Sequence, residues 1–144
     1  MTRIRSFRPA DTEQVVALWH AAGLTRSWND PYRDIERKLA VQPELFLVAT
    51  AEPESGEEVI GSVMAGYDGH RGWLYYLAAD PTRRGLGIGR ALVTEAERLL
   101  LAMGCPKVQL MVRPDNAAAR GFYAALGYET FDTWATGKRL IPDA

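Results

Sequence analysis

A run of alternate glycines between a predicted strand and a long predicted helix constrains this sequence more than any other feature. The glycines of segment 85–89 lack Cβ atoms, so a ligand can approach the main chain closely there. The first N–H groups of a helix have no intrahelical partners and lie at the positive end of the helix dipole. Such ends bind anions, and Arg83, Arg84 and Arg90 add charge that suits phosphate oxygens. The segment is therefore predicted to bind a phosphate group, whereas the alternative is a tight turn with solvated arginines.

Two common nucleotide motifs do not fit this turn. A Walker A loop requires Lys-Ser or Lys-Thr after its last glycine, and the sequence contains neither pair. The dinucleotide pattern G-x-G-x-x-G fails because Arg90 or Leu92 stands where the third glycine is needed. The phosphate ligand is thus not expected to be a nucleotide held by a Walker A loop or a dinucleotide held by a G-x-G-x-x-G turn.

Hydrophobic periodicity predicts strands and helices in a mixed order rather than in regular alternation. Asp11 followed by Gln14 resembles a capping box at the start of the first helix, and Asp30 before Pro31 is a good cap for the second. The predicted strands are 2–7, 44–50, 59–67, 73–79, 107–112, 128–131 and 134–140. The predicted helices are one with apolar residues from Val15 to Ala22 that stops at Gly23, one that starts at Pro31, one directly behind Arg90 that is closed by Gly104, and 116–126.

Composition narrows the classes of function. The 144 residues, 47% hydrophobic and 24% charged, predict one globular domain over residues 1–144. A net charge of -1 gives no support to a nucleic-acid or anionic-membrane partner. Cys105 is the only cysteine, which excludes an internal disulfide and a zinc site of several thiolates, so no metal is expected. No apolar run approaches the ~20 residues of a membrane helix, and no signal peptide is evident, so a cytoplasmic location is predicted.

Two motifs resemble those of the GCN5-related N-acetyltransferase (GNAT) superfamily. Residues 84–89 are similar to its R/Q-x-x-G-x-G/A turn, and they follow a strand that ends in Leu77-Ala-Ala-Asp-Pro81. Residues 116–128 are similar to its N-x-x-A-x-x-F-Y-x-x-L-G-F/Y block. Element order matches over the whole chain, and segments 24–31, 66–72 and 104–107 resemble the YpeA-type bacterial subgroup. The resemblance implies an α/β (α+β mixed sheet), GNAT-like acyl-CoA N-acyltransferase fold, with a central, mostly antiparallel sheet of about seven strands and helices on both faces.

The resemblance also implies acetyl-CoA as acyl donor. Main-chain amides of the turn would hold the CoA diphosphate, and the backbone of the preceding strand would pair with the pantetheine arm like an added strand. Asn116 would face this arm, although it is also suited to cap a helix. The implied cofactor-binding residues are Leu77, Ala79, Arg84, Gly85, Gly87, Ile88, Gly89, Arg90 and Asn116.

Transfer to an amine requires proton movements, because a lysine-like amine with a pKa near ~10.4 is mostly protonated and unreactive at neutral pH. In the family arrangement Tyr123 would donate a proton to the departing thiolate, whereas the alternative is that it packs beside Phe122. Some relatives carry a glutamate base on the strand before the second motif. Here that strand reads Gln109-Leu-Met-Val112, which puts a carboxylate base at this place in doubt.

Two segments offer candidates for contacts with the acceptor. Trp28, Asn29 and Asp30 lie between the first two helices, where the family commonly builds its acceptor pocket; Trp28 would supply an apolar wall, and Asn29 or Asp30 would hold the amine. Asp68 and His70 lie on a predicted hairpin and are candidates for the base, which would act through water. The structural alternatives are a core position for Trp28, a capping role for Asp30 and ordinary turn chemistry for Asp68.

The sequence therefore predicts an N-acetyltransferase that moves the acetyl group of acetyl-CoA directly to a primary amine of an unidentified small molecule or protein. A non-catalytic acyl-CoA-binding sensor or regulatory module is the alternative, and an unrelated nucleotide-phosphate binder is a third hypothesis. Relatives often dimerise through their late strands, so a homodimer is left open beside a monomer.

Overall fold

Strand order in the sheet follows chain order in the computed structural model, which describes residues 2–143. The strands are β1 (Arg3–Ser6), β2 (Phe46–Ala51), β3 (Glu58–Tyr67), β4 (Gly72–Ala79) and β5 (Val108–Gln109). The helices are α1 (Thr12–Ala21), α2 (Pro31–Ala40), α3 (Ile88–Ala102) and α4 (Ala117–Ala125).

The described chain divides into two compact units. The first contains the whole sheet with α1, α2 and α3, from the start of the described residues to Gln109, and it includes Asp143. The second, Leu110–Pro142, contains α4. One domain over residues 1–144 stays a prediction.

Strand pairing makes the sheet mixed and mostly antiparallel, as expected. β1 to β4 pair antiparallel in succession, whereas β4 and β5 pair in parallel through Gly72↔Val108 and Trp73↔Gln109. Parallel neighbours require a long crossover, and α3 lies in the connection between β4 and β5.

Helices cover both faces of the sheet. A Cβ added at Gly61 on β3 would lie 2.6 Å from Ile88 and 2.9 Å from Leu92, so this face carries α3. The next residue, Ser62, accepts a hydrogen bond from Trp19 of α1. Because consecutive side chains of a strand point to opposite faces, α1 and α3 lie on opposite sides of β3.

The apolar residues that recur periodically in the sequence form a buried core on the α1 face of the sheet. Trp19 and Phe46 are fully buried with stacked rings, and Phe7 stacks on Phe46 at 4.3 Å between centroids. Ile35 of α2 is buried in the same cluster, so α2 is held by its one apolar edge.

The expected number of about seven strands is wrong, since residues 2–143 form five. Segments 128–131 and 134–140 contain no strand, and Trp134 and Leu140 are 93% and 84% exposed. The predicted strand 107–112 shortens to Val108–Gln109. Alternating side chains indicate β propensity, but a strand forms only where its main chain finds a partner, which local sequence does not specify.

The predicted capping box at the start of α1 is also wrong. Asp11 accepts two of the hydrogen bonds that the Arg5 guanidinium donates, at 2.8 and 2.9 Å, and one from the N–H of Arg8 at 2.8 Å. Gln14 accepts a hydrogen bond from the N–H of Val59 instead of capping the helix. Both side chains are thus used to tie α1 to the sheet, because a long-range ionic or main-chain partner competes with the local cap.

Candidate functional site

The glycine turn has the backbone geometry that only glycine adopts readily. Gly85 and Gly87 have φ values of +80° and +73°, and a Cβ added at either position would meet no atom within 4 Å. Gly87 precedes α3, and its carbonyl accepts the first helical bond from Ala91 at 3.0 Å. The N–H groups of Ile88, Gly89 and Arg90 therefore have no intrahelical acceptor. The exposed turn offers a main-chain cradle that fits an anionic group such as a diphosphate.

The position of the turn is fixed by a buried contact between the first residue of α3 and β3. Ile88 is buried at the first position of α3, and it lies over Gly61, where any larger residue would clash. Glycine at position 61 thus lets α3 approach β3 closely, which fixes where the helix begins.

The three arginines around the turn have different roles. Arg83 bonds to Glu58 at 2.8 Å and lies 3.4 Å from Asp80, so its charge is already neutralised by the protein. Arg84 and Arg90 are exposed, and neither has an ion-pair partner among residues 2–143. These two guanidinium groups remain available to an anionic ligand, whereas the sequence had suggested all three.

The edge of β4 beside the turn presents main-chain groups for pairing. The N–H of Asp80 donates to Ile60 of β3 at 2.8 Å. Main-chain groups alternate in direction along a strand, so those of Ala79 and Leu77 face the opposite edge, away from β3. On that edge β5 pairs with β4 only at Gly72 and Trp73 in the described part of the chain. Leu77 and Ala79 are therefore oriented as an added extended segment would require.

A bulge in β4 contains Tyr76 and Leu77, which together lie opposite Val63 of β3. β3 advances two residues from Ser62 to Met64 while β4 advances three, from Tyr75 to Ala78. Tyr76, inside the bulge, has a φ of +51°, a left-handed conformation that costs an aromatic residue roughly 1–3 kcal/mol.

Buried side chains surround this strained residue, and sequence reasoning missed them as a group. The indole of Trp19 stacks on Tyr76 with ring centroids 3.8 Å apart and donates to Ser62 Oγ at 2.8 Å. Ser62 Oγ donates to the carbonyl of Tyr76 at 2.9 Å, and the Tyr76 hydroxyl donates to Asp34 of α2 at 2.7 Å. The only local signal was the polar Ser62 after Gly61, inside an otherwise apolar strand.

The loop before α2 places two of the predicted acceptor residues at the surface. Trp28 is 56% exposed, so the alternative of a core position is wrong, and Asn29 is half-buried. Asp30 caps α2 by accepting from Tyr32 N–H at 2.9 Å, as the sequence indicated. Its own N–H donates to Asp143 at 2.7 Å. Contact of Trp28 and Asn29 with an acceptor stays a prediction.

Asp68 and His70 lie on the hairpin at the other end of β4. Asp68 Oδ1 accepts from the N–H groups of His70 and Arg71 at 2.8 and 2.7 Å, which is turn chemistry. Hydrogen bonds from the Arg71 and His70 backbone hold the pKa of Asp68 below its usual value, which makes it a weaker base. β4 has eight residues, so this hairpin lies roughly 25 Å along the strand from the glycine turn.

The second unit carries the other predicted site residues. Asn116 caps α4 by accepting from Ala119 N–H at 3.0 Å, and a contact with the cofactor arm stays a prediction. Tyr123 packs edge-on against Phe122 and Tyr128, at 5.0 and 5.5 Å between centroids. Burial raises the pKa of Tyr123 to about 12, so its phenol is protonated at neutral pH. A protonated phenol suits the predicted role as proton donor.

Further observations concern metals, membranes and the base. No cluster of three or more His, Cys, Asp or Glu side chains suited to a metal occurs within residues 2–143. None of the helices in that range is both long and apolar enough to cross a bilayer.

Cys105 is buried and donates weakly to the Lys107 carbonyl at 3.4 Å. Gln109 ends β5, where a glutamate base would lie in some relatives.

Comparison with known proteins identifies the family to which this fold belongs. The model of the Acetyltransferase (GNAT) family matches residues 13–128. This chain therefore belongs to the GNAT family, and it is an acyltransferase enzyme.

Named relatives resemble the chain over nearly its full length. A protein named acetyltransferase from Pectobacterium atrosepticum is 55% identical, with 97% of this chain and 96% of the relative aligned. An uncharacterized N-acetyltransferase from Yersinia pestis is 54% identical over the same shares. Among solved structures, Ard1 from Thermoplasma volcanium superposes with a TM-score of 0.74 at 29% identity, covering 88% of this chain and 81% of that protein.

Proposed function

We propose that this enzyme binds acetyl-CoA at the start of α3 and transfers the acetyl group directly to a primary amine. One observation carries the proposal. The open glycine turn with Arg84 and Arg90 lies next to an edge of β4. At that edge the main-chain groups of Leu77 and Ala79 point away from β3. An anion site and an unfilled strand edge in succession match a ligand with a diphosphate followed by an extended amide chain.

The binding role of each element follows from this arrangement. The N–H groups of segment 85–90 would donate to the diphosphate oxygens, with charge supplied by Arg84 and Arg90. Leu77 and Ala79 would exchange main-chain hydrogen bonds with the amides of the pantetheine arm. Asn116 would contribute a contact to the same arm besides capping α4.

The proposed chemistry is a single acyl transfer. The neutral amine nitrogen forms a bond to the thioester carbonyl carbon, the carbon–sulfur bond breaks, and the amine loses a proton to water. The Ala79 N–H faces the open edge of β4 and would stabilise the negative charge that develops on the carbonyl oxygen. Tyr123, whose phenol is protonated at neutral pH, would give its proton to the leaving thiolate.

The acceptor is proposed to enter beside the loop before α2. The exposed indole of Trp28 offers an apolar surface, and Asn29 offers a polar side chain. Asp68 and His70 would act only through water, because Asp68 is engaged with the hairpin backbone. A primary amine as acceptor agrees with relatives that are named N-acetyltransferase.

Calorimetry and thiol release test this function together. Titration with acetyl-CoA and with CoA should give saturable heat with folded protein, whereas ATP and NAD should bind far more weakly. A panel of protein N-terminal peptides, lysine peptides, polyamines and amino sugars should then include at least one amine that causes release of CoA thiol. Absence of binding to acetyl-CoA and CoA would refute the proposal.

Gln109 leaves the end of β5 without a carboxylate base, so the alternative of a non-catalytic acyl-CoA sensor is kept only as an outcome of the test. The same assay separates the two functions. A sensor would bind acetyl-CoA but release no thiol with any amine, and its affinity would depend on the acyl group.

A further inference from the structure

We propose that Ser62, held by Trp19, is a positioning residue: it fixes the β4 bulge and thereby turns Leu77 and Ala79 toward the pantetheine arm. This inference rests on the proposed function, since it concerns how the arm is held.

The bulge determines which main-chain groups reach the open edge. In the observed register Ser62 lies opposite Ala78, and Leu77 and Ala79 face away from β3. If β4 continued from the Tyr75↔Met64 pair without the extra residue, Ser62 would lie opposite Leu77. The main-chain groups of Leu77 would then point into the β3 ladder, because a shift of one residue reverses every direction along a strand.

The Ser62 hydroxyl is well placed to maintain that bulge. It is fully buried and donates to the carbonyl of Tyr76, a group that the bulge removes from the regular ladder. This hydrogen bond satisfies the carbonyl at the place where the regular pairing of β3 and β4 is interrupted. Tyr76 itself is held at a φ of +51°, which persists only where its surroundings determine the backbone.

Trp19 fixes the orientation of the hydroxyl. Its indole N–H donates to Ser62 Oγ at 2.8 Å, which leaves the serine proton directed to the Tyr76 carbonyl at 2.9 Å. The same ring stacks on Tyr76, and the Tyr76 hydroxyl bonds to Asp34. One buried and two partly buried hydrogen bonds thus connect α1, β3, the bulge and α2.

The test compares two ligands that share the phosphate groups. Adenosine 3′-phosphate 5′-diphosphate is the portion of CoA without the pantetheine arm, so it reports on the glycine turn alone. In Ser62→Ala, affinity for acetyl-CoA should fall about 10-fold or more, while affinity for the arm-less probe stays within about twofold. Ser62→Cys, whose thiol is a weaker donor, should give an intermediate loss and serves the same purpose if Ser62→Ala does not fold.

Leu100→Ala is the matched control, because it opens a buried cavity at the far end of α3 and touches no hydrogen bond of the bulge. It should lower stability yet change the affinity ratio of the two ligands by less than about twofold. Equal losses for both ligands in Ser62→Ala, or no loss for acetyl-CoA, would overturn the positioning role. Failure of the wild-type protein to bind acetyl-CoA would instead refute the proposed function.

Discussion

Alanine substitutions at the two ends of α3 separate backbone strain from ligand binding. Gly87 and Gly104 flank the helix, have φ values of +73° and +86°, and both leave open space where a Cβ would lie. An alanine in this conformation costs about 1–2 kcal/mol at either position. Gly87→Ala and Gly104→Ala should therefore lower the free energy of unfolding by similar amounts, measured by urea denaturation.

Only one of the two variants should lose acetyl-CoA. At position 87 the added methyl group occupies the space through which a diphosphate would reach the N–H groups of α3. Losing one hydrogen bond to a charged group costs about 1.5–3 kcal/mol, which corresponds to roughly a 10- to 100-fold weaker affinity. Calorimetric titration should show this loss in Gly87→Ala and an unchanged affinity in Gly104→Ala. Equal affinities in the two variants would refute the placement of the diphosphate at this turn.

Three further predictions address catalysis, acid stability and packing. Tyr123→Phe should lower the turnover number on the order of 100-fold while acetyl-CoA affinity stays unchanged, and unchanged turnover would remove Tyr123 from the reaction. Burial opposes ionisation of Asp11, but hydrogen bonds from Arg5 and the neighbouring backbone outweigh it and hold the Asp11 pKa below its usual value. Asp11 therefore contributes stability above its unfolded-state pKa of about 3.9, and this contribution is lost as the pH falls through the lower folded-state pKa. Asp11→Asn should lose about 1–3 kcal/mol at pH 7 and show a weaker acid dependence in urea denaturation; a parallel pH profile would contradict this account. Gly61→Ala should lower stability by about 1–3 kcal/mol because its Cβ would lie 2.6 Å from Ile88, and an unchanged melting temperature would show that α3 can shift freely.

Local patterns predicted the parts of this fold that depend on neighbouring residues. The helix starts at Asp30 and Asn116 have the expected side-chain caps, and the glycine turn before α3 was evident because its signal lies within eight residues. The first four strands also lie within two residues of their predicted bounds at each end. These features need no knowledge of what packs against them.

Features that depend on residues distant in the sequence could not be predicted from local patterns. The bulge at Tyr76 requires the register of β3 against β4, and its support comes from Trp19 and Ser62, 43 positions apart. Arg83 was predicted to add charge for a phosphate group, but Glu58, 25 positions away, forms an ion pair with it. In each case the interacting residue is distant in the sequence, so periodicity and motif spacing cannot predict the interaction.

The burial of Ile88 at the first position of α3 links ligand occupancy to the unfolding equilibrium. The helix that would hold the diphosphate is seated on Gly61, so the cradle exists only while the helix is docked. A ligand that binds only this docked form stabilises it by RT ln(1 + [L]/Kd), about 2.7 kcal/mol at a hundredfold excess over Kd. Thermal denaturation can therefore rank acyl donors for this enzyme before any acceptor is known.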